Sequence, residues 1–413
     1  MTSMTGARIR SERLWNTLMR MAEIGATPRG GCNRQALTQE DRVGRNLFTT
    51  WAVEAGCAVS VDEIGNVFAV RAGTEQQTEP VLVGSHLDTQ ATGGRFDGVY
   101  GVLAGLEVVR CLNEHAITTR RSIEIVSWTN EEGCRFAPAM LGSGVVAGTY
   151  DLEFAYSRVD KAGIRLGDAL SCLGYKGSVP ARRRRLKAAF EVHIEQGPIL
   201  ETVSKTIGAV TGIQGAYWLD VILEGVAAHA GPTPMEMRRD PWRAGAPIIE
   251  KAFALAAKYA PDARATIGDV KALPGARNTV PERVVLSVDL RHPDHATLEA
   301  MVAAFRASVA SIAAACGIAS KVEPVWYMPP TKFDPHLIDL IAEAAQELGY
   351  SWQRMVSGAG HDSLHVAQFA PTAMIFVPCA GGLSHNEAET ASAEDLAAGA
   401  NVLLHAVIAA ANE

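Results

Sequence analysis

The feature that most constrains this fold is a change of rhythm in its apolar pattern. Up to about residue 209 strand-like runs alternate with helical ones, at 66–71, 80–84, 97–115 and 121–129. Between about 210 and 326 the order becomes strand 216–224, helix 243–259, strands 264–271 and 283–291, helix 295–316 and strand 320–326. Alternation then resumes with a helix at 335–348, a strand at 371–377 and a closing helix from about 392. Regular alternation predicts an α/β sheet flanked by helices. The intervening βαββαβ order is that of the ferredoxin-like split unit. The 413 residues are too many for one simple core. The reading is a discontinuous domain, 1–209 plus 327–413, with a smaller domain, 210–326, inserted into it. Two helices precede the first strands, the second starting at the N-cap Thr38 and ending at Gly56.

Several function classes are disfavoured. A net charge of −7 offers nothing to phosphate backbones, and the short basic run Arg182 to Arg185 reads as a solvated linker. We therefore expect no nucleic-acid partner. The seven cysteines are scattered without a C-x-x-C pair, which argues against a disulfide framework and a thiolate zinc site. The N-terminus, MTSMTGARIRSERLW, has no apolar core of a signal peptide. Alanine-rich stretches near 303–316 and 397–411 carry polar residues at helical spacing and read as amphipathic helices rather than membrane spans. The expectation is a cytoplasmic protein with no membrane partner.

Histidines and acidic residues collect at predicted strand ends, where open α/β sheets bind their ligands. VLVGSHLDT places His86 and Asp88 just past one strand, and GGRFDG places Asp97 where the next helix begins. Glu131 and Glu132 follow the strand of IVSWTNEEG, His193 ends that of AAFEVHIEQG, and His385 lies in the loop after IFVP. Imidazole nitrogen and carboxylate oxygen together suit zinc, manganese, cobalt or nickel. A carboxylate can bridge two cations, so Asp97 is the candidate bridge, and two ions about 3.5–4 Å apart would clamp a hydroxide and polarise a carbonyl. Singly, each residue has a plainer explanation: a structural histidine, a helix cap at Asp97, two solvated glutamates. Four strand ends carrying such residues together favour a metal site.

The motifs HLDT, GGRFDGVYGVLAGLEVV, TNEEGCRF, HIEQG, HAGPTPM and SHNE resemble the dinuclear-metal amidohydrolases of the hydantoinase/carbamoylase type, in the M20 metallopeptidase superfamily. That group includes N-carbamoyl-L-amino acid hydrolases, β-ureidopropionases and allantoate amidohydrolases. The resemblance runs from GCNRQALTQED to SHNEAE, in the group's order. It implies that Asp97 bridges two divalent ions, zinc foremost, with His86 and His193 completing one site and Glu132 and His385 the other. Glu131 would be the base that deprotonates the water between them, and Asp88 would orient His86. Gln196 and the backbone at Gly360, in GAGHD, would contact substrate. The inserted domain would be a dimerisation lid. Its His229 would reach the neighbouring subunit's site to stabilise an oxyanion, and Asn278 and Arg291 would grip the substrate carboxylate. By residue type alone, His229 reads as a turn cap and Arg291 as a surface charge. His361 is a weaker candidate, and the histidines at 115, 292, 295, 336, 365 and 405 are given no role.

His193 is the discriminating residue, since the peptidase and deacylase branches usually carry a carboxylate there. The implied activity is hydrolysis of N-carbamoyl amino acids, with allantoate as the nearest alternative substrate and an aminoacylase or dipeptidase further off. A non-catalytic scaffold on the same fold would lack a ligand or the base, and none is missing here.

Overall fold

A computed structural model of the chain describes residues 6–75 and 77–413. The first five residues of the N-terminal stretch considered above lie outside the described residues. The chain divides into two compact units, Met1–Gly212 with Lys332–Glu413, and Ile213–Thr331.

In chain order the strands are β1 (Ala58–Val61), β2 (Val67–Arg71), β3 (Val81–His86), β4 (Ile123–Trp128), β5 (Ala188–Ile194), β6 (Ile207–Ile213), β7 (Gly215–Glu224), β8 (Ala228–His229), β9 (Arg264–Leu273), β10 (Thr279–Val280), β11 (Arg283–His292), β12 (Ala319–Met328), β13 (Thr331–Lys332), β14 (Trp352–Ser357) and β15 (Thr372–Val377).

The large sheet runs β1-β2-β4-β3-β5-β15-β6-β13, with β14 beside β6. Its centre, β4-β3-β5-β15, is parallel, and β1, β2 and β6 join antiparallel. Every residue of β3, β4, β5 and β15 is buried. Strands covered on both faces read as near-continuous apolar runs, which these do. The exceptions are polar: Ser85, His86, Glu124, Ser127, Glu191, His193 and Thr372. Helices Val99–Glu114 and Ala393–Asn412 pack on this sheet and on each other. The second is buried along most of its length, from Leu396 to Ala411.

In the smaller unit the antiparallel order is β12-β7-β11-β9, the arrangement expected of a split βαβ pair. β11 alternates strictly between half-buried and buried residues, as a sheet covered on one face must. Val284, Leu286, Val288 and Leu290 meet Leu219, Val221 and Leu223 of β7 and the helix residues Ile248, Leu298, Phe305 and Val309. A separate two-stranded ladder, β8 with β10, sets His229 opposite Thr279.

Several details differ from the sequence reading. Asp97 does not cap a helix: the helix begins at Val99, and its N-cap is Gly98 at φ 68°. The basic run is not a solvated linker throughout. Arg183 donates to the Ala147 carbonyl at 2.6 Å, and Arg184 pairs with the buried Glu124 while lying over the Phe68 ring. β14 and the short helices Leu141–Val146, Leu152–Tyr156 and Leu166–Leu173 were not foreseen. Helices His295–Ala315 and Ala393–Asn412 are long and apolar enough to cross a membrane by length and composition. Each nonetheless contributes core residues to its own unit.

Candidate active site

The C-terminal ends of β3, β4, β5 and β15, with the loops beyond them, bring His86, Asp97, Glu131, Glu132, His193 and His385 together. The centre is Asp97, which is 4% exposed. Its Oδ1 lies 3.2 Å from His193 Nε2 and 3.8 Å from His86 Nε2. Its Oδ2 lies 3.3 Å from His385 Nε2, which is 3.4 Å from Glu132 Oε2. Two triads result, His86–Asp97–His193 and Asp97–Glu132–His385, each able to hold a metal ion. A tetrahedral ion with bonds of about 2.1 Å spaces its donor atoms about 3.4 Å apart, so these separations suit one ion per triad. The donor set also fits, since neutral imidazoles and carboxylates are what first-row divalent cations take.

Local structure explains the arrangement. His86 Nδ1 meets the Asp88 carbonyl at 2.9 Å and His193 Nδ1 the Ile194 carbonyl at 2.8 Å, which turns both Nε2 atoms inward. Gly98 is required: a Cβ there would sit 2.1 Å from the His86 ring, and its φ is left-handed. Asn130, Met140, Gln196 and His385 also hold positive φ without being glycine. Such backbone conformations persist only where the surroundings enforce them, and they cluster at functional sites.

Electrostatically the site is an acid cluster in a buried setting. Burial, then Asp362, Glu132, Asp88 and Asp97, push Glu131 well above the usual carboxylate range. Burial and Asp97 raise Glu132 to about 8. Burial lowers His86 to about 4, leaving a neutral ring with a free lone pair. Burial is the strongest single influence on His193 and pulls it down, but the hydrogen bond to Asp97, the charges of Asp97 and Glu191 and the Ile194 carbonyl together outweigh it and lift the ring to about 9. The bond to Asp97 likewise raises His385 to about 9. A cluster of mutually repelling carboxylates around inward-facing imidazoles is relieved by divalent cations.

Other predicted residues take different places. Asp88 does not orient His86 through its carboxylate; its backbone carbonyl does that. The carboxylate instead accepts from the N–H groups of Glu131 and Glu132, both at 3.2 Å, and so fixes the acidic pair. Glu131 Oε2 stands 3.5 Å from His86 Nε2. Gln196 donates to Asp97 Oδ2 at 3.0 Å and to Ser384 Oγ at 3.2 Å. Gly360 is half-buried, and the adjacent His361 is buried with its ring 4.6 Å from that of His193 and Nε2 3.1 Å from Ser357 Oγ. In the smaller unit His229 Nδ1 accepts from the Gly231 N–H, and Asn278 accepts through its carbonyl from the Ala230 N–H. Arg291 is ion-paired with Asp289 at 2.8 Å.

The sequence reading missed the supports. Gln90 grips Glu132 twice, backbone N–H to Oε1 at 3.0 Å and Nε2 to Oε2 at 2.7 Å. Glu191 is buried between the hydroxyls of Ser85 and Ser363, both at 2.6 Å. Arg34 is wholly buried and donates to the carbonyls of Leu87, Met21 and Ile24, clamping the segment that carries His86. A signal was available: Gln90 follows HLDT directly, and Arg34 lies within the GCNRQALTQED motif.

With this geometry in hand, similarity to known proteins becomes informative. The model of the family described as Peptidase family M20/M25/M40 matches residues 82–409. An N-carbamoyl-L-amino-acid amidohydrolase of Rhizobium meliloti is 49% identical over 401 residues, covering 97% of this chain and 96% of the relative. An N-carbamoyl-L-amino acid amidohydrolase of Geobacillus stearothermophilus is 39% identical over 403 residues, covering 97% and 98%. Among solved structures, a hydantoinase/carbamoylase family amidase from Burkholderia multivorans superposes with a TM-score of 0.96 at 52% identity, covering 98% of this chain and 99% of that one.

Proposed function

Because the chain belongs to the peptidase family M20/M25/M40, in its hydantoinase/carbamoylase branch, we propose that it hydrolyses the ureido C–N bond of N-carbamoyl-L-amino acids. Water and R–NH–CO–NH2 give the free amino acid, carbon dioxide and ammonia. The observation that carries this reading is Asp97, whose two oxygens face separate donor groups, His86 with His193 and Glu132 with His385. In this reading each group holds one divalent ion, zinc first, with manganese, cobalt or nickel as alternatives. When bound, the ions polarise the ureido carbonyl and acidify water.

The remaining work falls to the protein's own residues. Glu131 takes the proton of the attacking water and returns it to the leaving nitrogen; its raised proton affinity is in the direction a base needs. Asp88 and Gln90 hold the Glu131–Glu132 pair in register. Gln196 and the backbone at Gly360 contact substrate in this reading, and Asn278 and Arg291 bind its carboxylate. Arg291 suits that task because its planar fork binds carboxylates bidentately; it would have to share its bond to Asp289. His229 would stabilise the developing oxyanion from the neighbouring subunit of a homodimer built through residues 210–326. The cysteines, all unpaired, suit the reducing cytoplasm in which we place the reaction.

Ammonia release after loading with zinc, manganese or cobalt tests the proposal. The substrates are N-carbamoyl-L-amino acids, N-carbamoyl-β-alanine and allantoate, with an N-acetyl amino acid assayed for amine release. N-carbamoyl-L-amino acids should turn over fastest. Faster turnover of allantoate would move the assignment to the larger ureido acid, and no ammonia from any substrate would refute it.

A further inference from the structure

Glu389 lies within SHNEAE but received no role from the sequence. It is 1% exposed. Its Oε1 accepts from the backbone N–H groups of Phe96, at 3.0 Å, and Asp97, at 3.1 Å, and its Oε2 accepts from Ser384 Oγ at 2.9 Å. The loop is moulded on this carboxylate: a Cβ on Gly94 would fall 2.0 Å from Glu389 Oε1. One buried side chain therefore ties the segment bearing Asp97 to the segment bearing His385.

The Ser384 hydroxyl has a single proton and two acceptors within reach, Glu389 Oε2 at 2.9 Å and Asp97 Oδ2 at 3.1 Å. Asp97 Oδ2 is the oxygen that faces His385. That oxygen already accepts from Gln196 Nε2 at 3.0 Å, so a hydroxyl proton on its remaining lone pair would compete directly with a cation. An ionised carboxylate only accepts, whereas a carboxamide in its place would present an N–H to the serine.

We propose that Glu389 is a positioning residue of the metal centre, drawing the Ser384 hydroxyl away from Asp97 Oδ2 and keeping the lone pair that Gln196 leaves on that oxygen open to the ion on the Glu132–His385 side. The inference rests on the metal-centre reading above. It makes Glu389 act on one of the two ions and act through Ser384.

Cobalt titration of metal-free protein by equilibrium dialysis tests this directly, with wild type, Glu389→Gln, Ser384→Ala and the double variant compared. Wild type should take up two ions per chain; failure to do so overturns the metal-centre reading itself. In Glu389→Gln the amide oxygen can still accept both backbone N–H groups, but its nitrogen turns the hydroxyl onto Asp97. One ion should then bind about 10–100-fold more weakly while the other is unchanged, the range typical of lost outer contacts to metal ligands. The double variant, lacking the hydroxyl, should recover that loss. Equal weakening of both ions, or no recovery in the double variant, would reduce Glu389 to a structural prop and overturn the proposal. Should Glu389→Gln fail to fold, Ser384→Ala still decides: unchanged or tighter binding of the second ion supports the proposal, and a tenfold loss overturns it.

Discussion

Glu131 and Glu132 are neighbours in the chain yet face different tasks, and single substitutions should separate them. Glu131→Gln should lower kcat by about 10²–10⁴-fold, the usual share of a general base, while metal content measured by elemental analysis stays at the wild-type level. Retained activity would remove Glu131 from the chemistry. A second residue-scale prediction concerns His365, buried near Tyr150 and held by burial at about 4. An unfolded histidine titrates near 6.5. Above that pH both states are neutral and the ring adds no pH dependence. Between 6.5 and 4 only the unfolded chain takes the proton, so stability falls as pH falls and levels off below about 4. The loss over this window approaches about 3 kcal/mol. Urea unfolding across this range should show a slope one proton shallower in His365→Leu than in wild type. The metal-site candidates were legible because strand ends are where such sheets bind ligands. Their supports were not: Gln90 meets Glu132, Ser85 meets Glu191 and Arg34 meets Leu87 across gaps in sequence that no local periodicity spans.

At the scale of elements, the site depends on how the helix Val99–Glu114 starts. Gly98→Ala adds a methyl group into the His86 ring at a left-handed φ. Metal loading should fall with it, together with at least about 1 kcal/mol of stability measured by chemical denaturation. In the smaller unit, Phe305 is wholly buried among β7, β11 and the helix Trp242–Lys258. Phe305→Ala should cost about 3–5 kcal/mol there. Hydrogen exchange should show the amides of β7 and β11 losing protection first. The long elements were readable because their periods repeat several times, as in β11 and the helix His295–Ala315. β14 was missed because its pattern has only two buried positions, at Met355 and Ser357. The helices between 141 and 173 are too short for a 3.6-residue period to show itself.

For the molecule as a whole, the separate cores predict separate folding. A fragment spanning 213–331 should unfold cooperatively on its own, because its core residues, from Leu219 to Ile318, all lie within it. Circular dichroism would show this, and a fragment without a thermal transition would refute it. Treatment of the intact chain with a chelator should abolish activity and lower Tm, with zinc, manganese or cobalt restoring both. The place of β15 has a consequence for how the protein is made. It lies between β5 and β6, so the middle of the main sheet stays open until residues 372–377 leave the ribosome, long after β5 and β6 have done so. At about 5–20 residues per second, roughly 180 residues separate the two partners by about 10–35 s. During that interval the inserted unit can complete itself, while β5 waits with an apolar edge exposed. His385 emerges later still, so a newly made chain cannot assemble the full set of candidate ligands until the segment after β15 has also left the ribosome.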